Sequence, residues 1–262
     1  MLTKSTGMTK SKLIITCKLL LLFILAKINF SDQSPLNLLP QIAFQARKFS
    51  PANSPNLSKP IPHILSFAHE SIPLGNKRID LKMKKVLKAN SFGKLQTHKL
   101  HYRAEKWFAV IEPVLKKYGI PEDFKYIPLV ESGLTNSLYS SRGAAGLWQF
   151  MPQTGRDFGL KVNDEIDERL NIHLSTVAAA KYFKSLHKIF GSWTLVAAAY
   201  NGGEGRIKRQ MHSQGQANYF KLKLNSETAK YVYSIISMKE IIEHPERYGY
   251  KINNPRLLAY QR

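Results

Sequence analysis

Cysteine is almost absent: Cys17 is the single one in 262 residues. An internal disulfide framework and a cysteine-rich metal knuckle are therefore excluded. Acid is scarce as well, with 18 Asp and Glu against 39 Lys and Arg and a formal net charge of +21. No apolar run reaches the about 20 residues of a conventional membrane-spanning helix. The run Leu19 to Ala26 comes nearest, and Lys18 and Lys27 close it off. Strand-like alternation is nearly absent. His98 and His101 have a two-residue gap without the glutamate of a zinc-protease motif, and the other histidines are scattered. No phosphate-binding loop ending in Gly-Lys-Ser/Thr is present, and Ser132 and Ser140 sit in no nucleophile elbow. The residues therefore suggest no metal and no cofactor.

The excess charge is unevenly placed. Residues 1–100 hold 16 basic and 3 acidic side chains, and residues 101–262 hold 23 and 15. Such an imbalance suits a polyanionic partner, either an anionic wall polymer or a membrane surface. Nucleic acid is not expected, because no zinc spacing, aromatic ribonucleoprotein motif or basic region leading into heptads accompanies the charge. Lys4, Lys10 and Lys12 ahead of the Leu19–Ala26 run read as an export signal, cut near Ala26 or Ser31, or as an uncleaved anchor. A buried helix of a cytosolic protein is the alternative. Cys17 precedes the main apolar run and follows Thr16, so it does not read as a lipid acceptor.

The chain divides by pattern. Residues 1–31 are the signal or anchor. Residues 32–76 form a Pro/Ser/Asn-rich tether, with 7 of the 13 prolines lying between 32 and 75. Residues 77–103 are a basic, partly helical extension with Ile79, Leu81, Val86 and Leu87 as apolar contacts. Residues 104–245 are an all-α domain, and 246–262 a tail. Helical periodicity marks 104–118, bent at Pro113, and a helix from Pro121 to about Glu131. Ser175–Phe190 and Trp193–Tyr200 follow, the latter halted by Asn201-Gly202-Gly203. A last helix opens at Ser226 and runs to about Glu243.

One carboxylate stands out. Glu131 ends the apolar segment Ile127-Pro-Leu-Val130, a setting that disfavours its charge and raises its pKa. A glycine-rich turn follows, in which Gly143 and Gly146 permit close backbone approach. Trp148 offers a face for stacking on a sugar ring, and Gln149 a donor and an acceptor. The grouping suits a buried general acid facing an uncharged polar polymer; the alternative is a helix-terminal glutamate in solvent. Asp157, Asp164, Asp167 and Glu204 could approach Glu131 as a second carboxylate. Asp164 to Glu168 reads better as a solvated loop pairing with Arg169, and Glu204 as a first-turn acid of the next helix.

The motifs Glu131-Ser132, Ser140-x-x-Gly143-Ala-x-Gly146-Leu-x-Gln149-x-Met151-Pro152, Ala199-Tyr200-Asn201-x-Gly203 and Glu227-Thr-x-x-Tyr231-Val resemble the soluble lytic transglycosylase (SLT) domain. Trp148 and the stretch Val162 to Arg169 resemble its membrane-bound lytic murein transglycosylase D branch. The resemblance covers about 104–243. It implies an all-α, lysozyme-like (goose-type lysozyme/SLT) fold and cleavage of the MurNAc-β-1,4-GlcNAc bond of peptidoglycan. Glu131 would protonate the glycosidic oxygen and then act as base on the MurNAc C6 hydroxyl, leaving a 1,6-anhydro end. Ser140 would position the N-acetyl or a sugar oxygen. Gln149, Met151, Tyr200, Asn201 and Tyr231 would line the groove beside Trp148, with Glu227 supporting Tyr200 or the glycan. The implied protein is a monomer, exported and facing the wall. A hydrolytic muramidase on the same fold and a non-catalytic wall-binding protein remain as alternatives. Many relatives of this branch carry C-terminal wall-binding repeats, and here only about 20 residues follow the last helix. Lys82, Lys84, Lys85 and Lys88 of the extension stand as the substitute by charge, against the plainer reading of a solvated helix face.

Overall fold

The structure, a computed structural model, describes residues 64–95 and 98–251. The expected signal, most of the tether and the tail from residue 252 lie outside the described residues. Two-residue strands Ser66–Phe67 (β1) and Glu70–Ser71 (β2) pair antiparallel. Among the described residues the elements that follow are helices and 3-10 turns, joined by loops that carry a few isolated bridges. Helices α1 (Lys77–Asn90), α2 (Phe92–Leu95) and α3 (Lys99–Lys117) precede a 3-10 turn at Glu122–Tyr126 and the short α4 (Ile127–Glu131). Then come α5 (Pro152–Asp157), a 3-10 turn at Glu168–Leu170, α6 (Ile172–Phe190), α7 (Trp193–Gly202), α8 (Glu204–Gln214), α9 (Thr228–Glu243) and a 3-10 turn at Pro245–Tyr248.

Burial follows the helical period. Helix α7 is apolar all round (Leu195 to Ala199 are fully buried) and forms the centre of the core. Helices α6, α8 and α9 pack around it, with Phe183 and Leu186 of α6, Ile207 of α8 and Val232, Ile235 and Ile236 of α9 turned inward. Helix α3 lies on α6 through Phe108, Ile111 and Leu115 and continues through Pro113. The segment expected as one helix from Pro121 to Glu131 is split. Pro128 has no N–H to close the bond back to Phe124, and the chain changes from 3-10 to α at Tyr126–Ile127. Helix α6 begins at Ile172 rather than Ser175, because the Asn171 side chain accepts from Leu174 N at 3.0 Å. Likewise Asn225, not Ser226, caps the entry to α9, its Oδ1 accepting from Thr228 N at 2.9 Å.

The N-terminal boundaries need correction. Residues 64–76, read as tether, are packed: Leu65, Phe67, Ala68 and Ile72 are buried. The Glu70 carboxylate caps the start of α7. It accepts from Trp193 N, from Thr194 N at 3.1 Å, and from the hydroxyls of Ser192 (2.8 Å) and Thr194 (2.6 Å). Asp123 ties the hairpin down from the other side, accepting from Ala68 N at 2.7 Å and pairing with Lys239 of α9 at 2.9 Å. Helix α1 is no loose extension either. Ile79, Met83 and Leu87 are buried, and Asn90 Nδ2 donates to Ser237 Oγ of α9 at 3.1 Å. Leu81, expected inside, is exposed; Met83 holds the core position instead.

Candidate active site

Glu131 is the last residue of α4, and two elements fix where it ends. Behind it the chain turns left-handed at Gly133 and Leu134. Arg103 of α3 secures that turn, donating to Gly133 O at 3.0 Å and Thr135 Oγ1 at 2.8 Å. The buried hydroxyl of Ser132 donates to Leu147 O at 2.9 Å and joins the acid's helix directly to the glycine-rich turn. Sequence reading passed over Arg103 and gave Ser132 only a place in a motif, because each acts on a backbone group distant in the chain.

The carboxyl itself meets α9, where the Tyr231 hydroxyl donates to Glu131 Oε1. Burial raises the Glu131 pKa to about 7; the Tyr231 hydrogen bond opposes that rise, and the negative charge of Glu227 adds to it. The group is thus poised between acid and base near neutrality. Burial and the Glu131 charge hold the Tyr231 phenol well above its usual range, so it remains a donor. Tyr200 of α7 is pushed up for the same two reasons, which places it within the field of Glu131.

The turn from Ser140 to Met151 is built from short backbone bridges. Ser140 N donates to Ala144 O at 2.8 Å, and Ala145 N and Phe150 O pair at 3.0 Å. Gly146 has φ +79°, and a Cβ there would stand 2.1 Å from Arg169 O, so only glycine fits. Arg169 is the clamp. Buried, it donates from Nη1 to Gly143 O at 2.6 Å and to Phe150 O at 2.9 Å, joining both ends of the turn. Asp167 takes its Nε and Nη2 at 2.8 and 2.6 Å, an ion pair that holds the Asp167 carboxyl below its usual range. The expected loop and its pairing with Arg169 are both present: Asp164 and Glu165 are exposed, while Asp167 pairs with Arg169 and so joins the site's scaffold.

The other expected site residues divide. Ser140 Oγ accepts from Ala144 N at 2.9 Å, which orients the hydroxyl at the rim of the turn. Gln149, at φ +49°, donates its amide to Leu138 O and Gly146 O at 3.1 and 2.9 Å, so the expected donor is engaged inside the turn. Met151 is exposed at the start of α5. Trp148 is a correction. Its ring is fully buried against Phe183 and its Nε1 donates to Thr176 Oγ1 at 3.0 Å, which leaves no face for a sugar. It serves through its backbone, since Trp148 O accepts from the Tyr200 hydroxyl at 2.6 Å. Glu227 therefore does not support Tyr200; it accepts from Asn201 Nδ2 at 3.2 Å, while Thr228 donates to Asn201 Oδ1 at 2.9 Å.

Of the candidate second carboxylates, Asp157 accepts from Gln153, Asp167 is held by Arg169, Glu204 pairs with Lys208, and Asp164 is exposed. Glu227, exposed and held by Asn201, is the acid whose charge acts on Glu131. Among the described residues no group of three or more His, Cys, Asp or Glu is placed to hold a metal ion. No helix of the described residues is long and apolar enough to cross a membrane.

Comparison with known proteins matches the chain to a family. Residues 109–223 match the Transglycosylase SLT domain. The chain is 33% identical over 195 residues to the membrane-bound lytic murein transglycosylase D of Escherichia coli (strain K12), which covers 71% of this chain and 42% of that protein. It is 37% identical over 92 residues to the peptidoglycan transglycosylase gp16 of Escherichia phage T7, 34% of this chain and 7% of the phage protein. The chain thus spans less than half the length of either relative.

Proposed function

The chain belongs to the transglycosylase SLT family through residues 109–223, and from that premise we propose that it cleaves the MurNAc-β-1,4-GlcNAc bond of peptidoglycan as a lytic transglycosylase. One observation carries the reading. Glu131 is a single carboxyl, buried enough to hold its proton up to about pH 7 and aimed at a phenol donor.

The chemistry follows from that setting. Protonated Glu131 gives its proton to the glycosidic oxygen as the bond to the anomeric carbon breaks. The carboxylate so formed keeps the hydrogen bond from Tyr231, which is stronger to the charged form and so favours the state in which the proton has left. Glu131 then takes the proton of the MurNAc C6 hydroxyl as that oxygen closes on the anomeric carbon. A 1,6-anhydro end results and no water is consumed. Ordinary glycosidases place a second carboxylate across the bond. Here Asp157, Asp167 and Glu204 are bound elsewhere and Asp164 is exposed, while Glu227, whose charge reaches Glu131, is held by Asn201; this supports an intramolecular nucleophile over a hydrolytic muramidase. Ser140, Gln149, Met151, Tyr200, Asn201 and Glu227 would meet the glycan. The Arg169 clamp holds the turn that carries the first three. The protein would work outside the cytoplasm as a monomer, in the periplasm or tethered to a membrane, with glycan strands as its substrate.

The test is digestion of purified sacculi with mass analysis of the fragments. Fragments one water lighter than hydrolysed ones are expected. Glu131→Gln should lose on the order of 10²–10⁴ in rate, the usual contribution of a general acid–base group. Water-bearing ends would replace the reading by hydrolysis, and normal digestion by Glu131→Gln would remove Glu131 from it.

A further inference from the structure

Helix α1 has a face that the active site does not use. Its inner side is Ile79, Met83 and Leu87. Lys77, Arg78, Leu81, Lys84, Lys85 and Lys88 are all exposed. At 3.6 residues per turn these six fall within an arc of roughly 120° and extend about 16 Å along the axis. Leu81, 59% exposed, stands in the middle of the five cations. The one acid of the helix, Asp80, is turned aside and accepts from Gly75 N at 3.1 Å. Among the described residues none of the five cations is in an ion pair. Arg78 donates to a backbone carbonyl, that of Phe220, at 3.2 Å. Lys82, which the sequence grouped with this set, leaves it. Its Nζ donates to Ala229 O at 3.2 Å and lies 5.1 Å over the Tyr233 ring of α9.

We propose that this face of α1 docks on an anionic phospholipid bilayer. Like charges held on one face repel each other in water and are relieved by a surface of opposite charge. Several anionic surfaces meet that condition, and Leu81 selects among them. At a bilayer interface a leucine reaches the acyl boundary while the surrounding ammonium and guanidinium groups remain with the phosphates, their methylene stems lying along the apolar layer. A hydrated anionic polymer would pair with the cations and give Leu81 nothing. Helix α1 packs on α9, which carries Tyr231 to Glu131. The docked face and the acid are thus parts of one packed unit, and docking would hold the site at a fixed height above the lipid.

The test uses the full chain with Cys17→Ser and Leu81→Cys, labelled at position 81 with an environment-sensitive fluorophore. Its emission should shift to the blue on phosphatidylcholine vesicles containing phosphatidylglycerol and stay unshifted on phosphatidylcholine alone. High salt should reverse the shift. Replacing Lys77, Lys84, Lys85 and Lys88 together by Gln should weaken partitioning about tenfold or more, since each basic side chain at an anionic surface contributes up to about fivefold. No shift on either vesicle, or an equal shift on both, overturns the proposal. So does a shift produced by soluble peptidoglycan fragments without vesicles, which would make the face a polymer site. Digestion of soluble glycan by the four-lysine variant should match the unmodified chain, whatever becomes of Glu131. Loss of that digestion would assign the lysines to substrate and overturn docking.

Discussion

Replacing Glu131 with Gln is expected to stabilise the fold while it removes activity. The carboxyl is displaced from its ordinary 4.5 to about 7, chiefly by burial. Below pH 4.5 it is protonated in the folded and unfolded chain alike, and the amide variant differs little from it. Between 4.5 and 7 the unfolded chain ionises while the folded one keeps its proton, so stability falls as pH rises. Above 7 the folded chain carries the buried charge and the loss is complete. At about 1.4 kcal/mol for each pH unit of displacement, that loss is about 3 kcal/mol. The amide has the same shape, is never charged, and still accepts from Tyr231, so the variant escapes the loss. Urea unfolding of both proteins at pH 4, 6 and 8 measures it. The two should unfold together at pH 4 and separate by pH 8 with the variant more stable. A variant that is equal or weaker at pH 8, or that is more stable by the same amount at every pH, would refute burial as the origin of the acid's tuning.

Three further outcomes are expected. Tyr231→Phe removes the hydrogen bond that opposes the rise, so the fall of activity above neutrality should move to higher pH by about one unit, with the maximal rate down about tenfold, as loss of a bond to a charged group implies; a pH–rate profile that stays in place or moves down contradicts the assignment. Gly146→Ala puts a Cβ 2.1 Å from Arg169 O at a φ of +79°, and thermal melts should show a loss of at least about 2 kcal/mol. Glu70→Ala strips the start of α7 of its carboxylate cap and should lower stability by about 1–3 kcal/mol in the same melts, with little change in the pH dependence of the remaining activity.

The helices were legible because their signals are local. The apolar period marked α6 and α7, and the run to Glu131 marked a segment that does end there. What sequence missed depends on partners far along the chain. Trp148 read as a stacking face because an aromatic beside a glycine turn has two possible sides, and only the position of Thr176 and Phe183 decides which is covered. Arg169 read only as the partner of a solvated acidic loop, whereas it is buried and reaches Gly143 O, 26 residues away. Residues 64–76 read as tether from their proline and serine content, and the contacts that pack them come from Asp123 and α7. Glu131 was recognised by its apolar neighbours and by resemblance; resemblance placed Tyr231 in the groove lining, and its hydrogen bond to Glu131 came from the fold alone.

The hydrogen bond between Tyr231 and Glu131 joins residues 100 positions apart. A chain made from its N-terminus has therefore produced the acid long before the helix that carries its donor. Until α9 docks, the carboxyl lacks the phenol and the enclosure to which α9 contributes. An unfinished or partly folded chain then carries the acid without its tuning, and the proposed competence to cut arrives only with α9. For a proposed wall-cutting enzyme, that order of assembly is a safeguard built into the connectivity: the acid gains its tuning only when α9 docks.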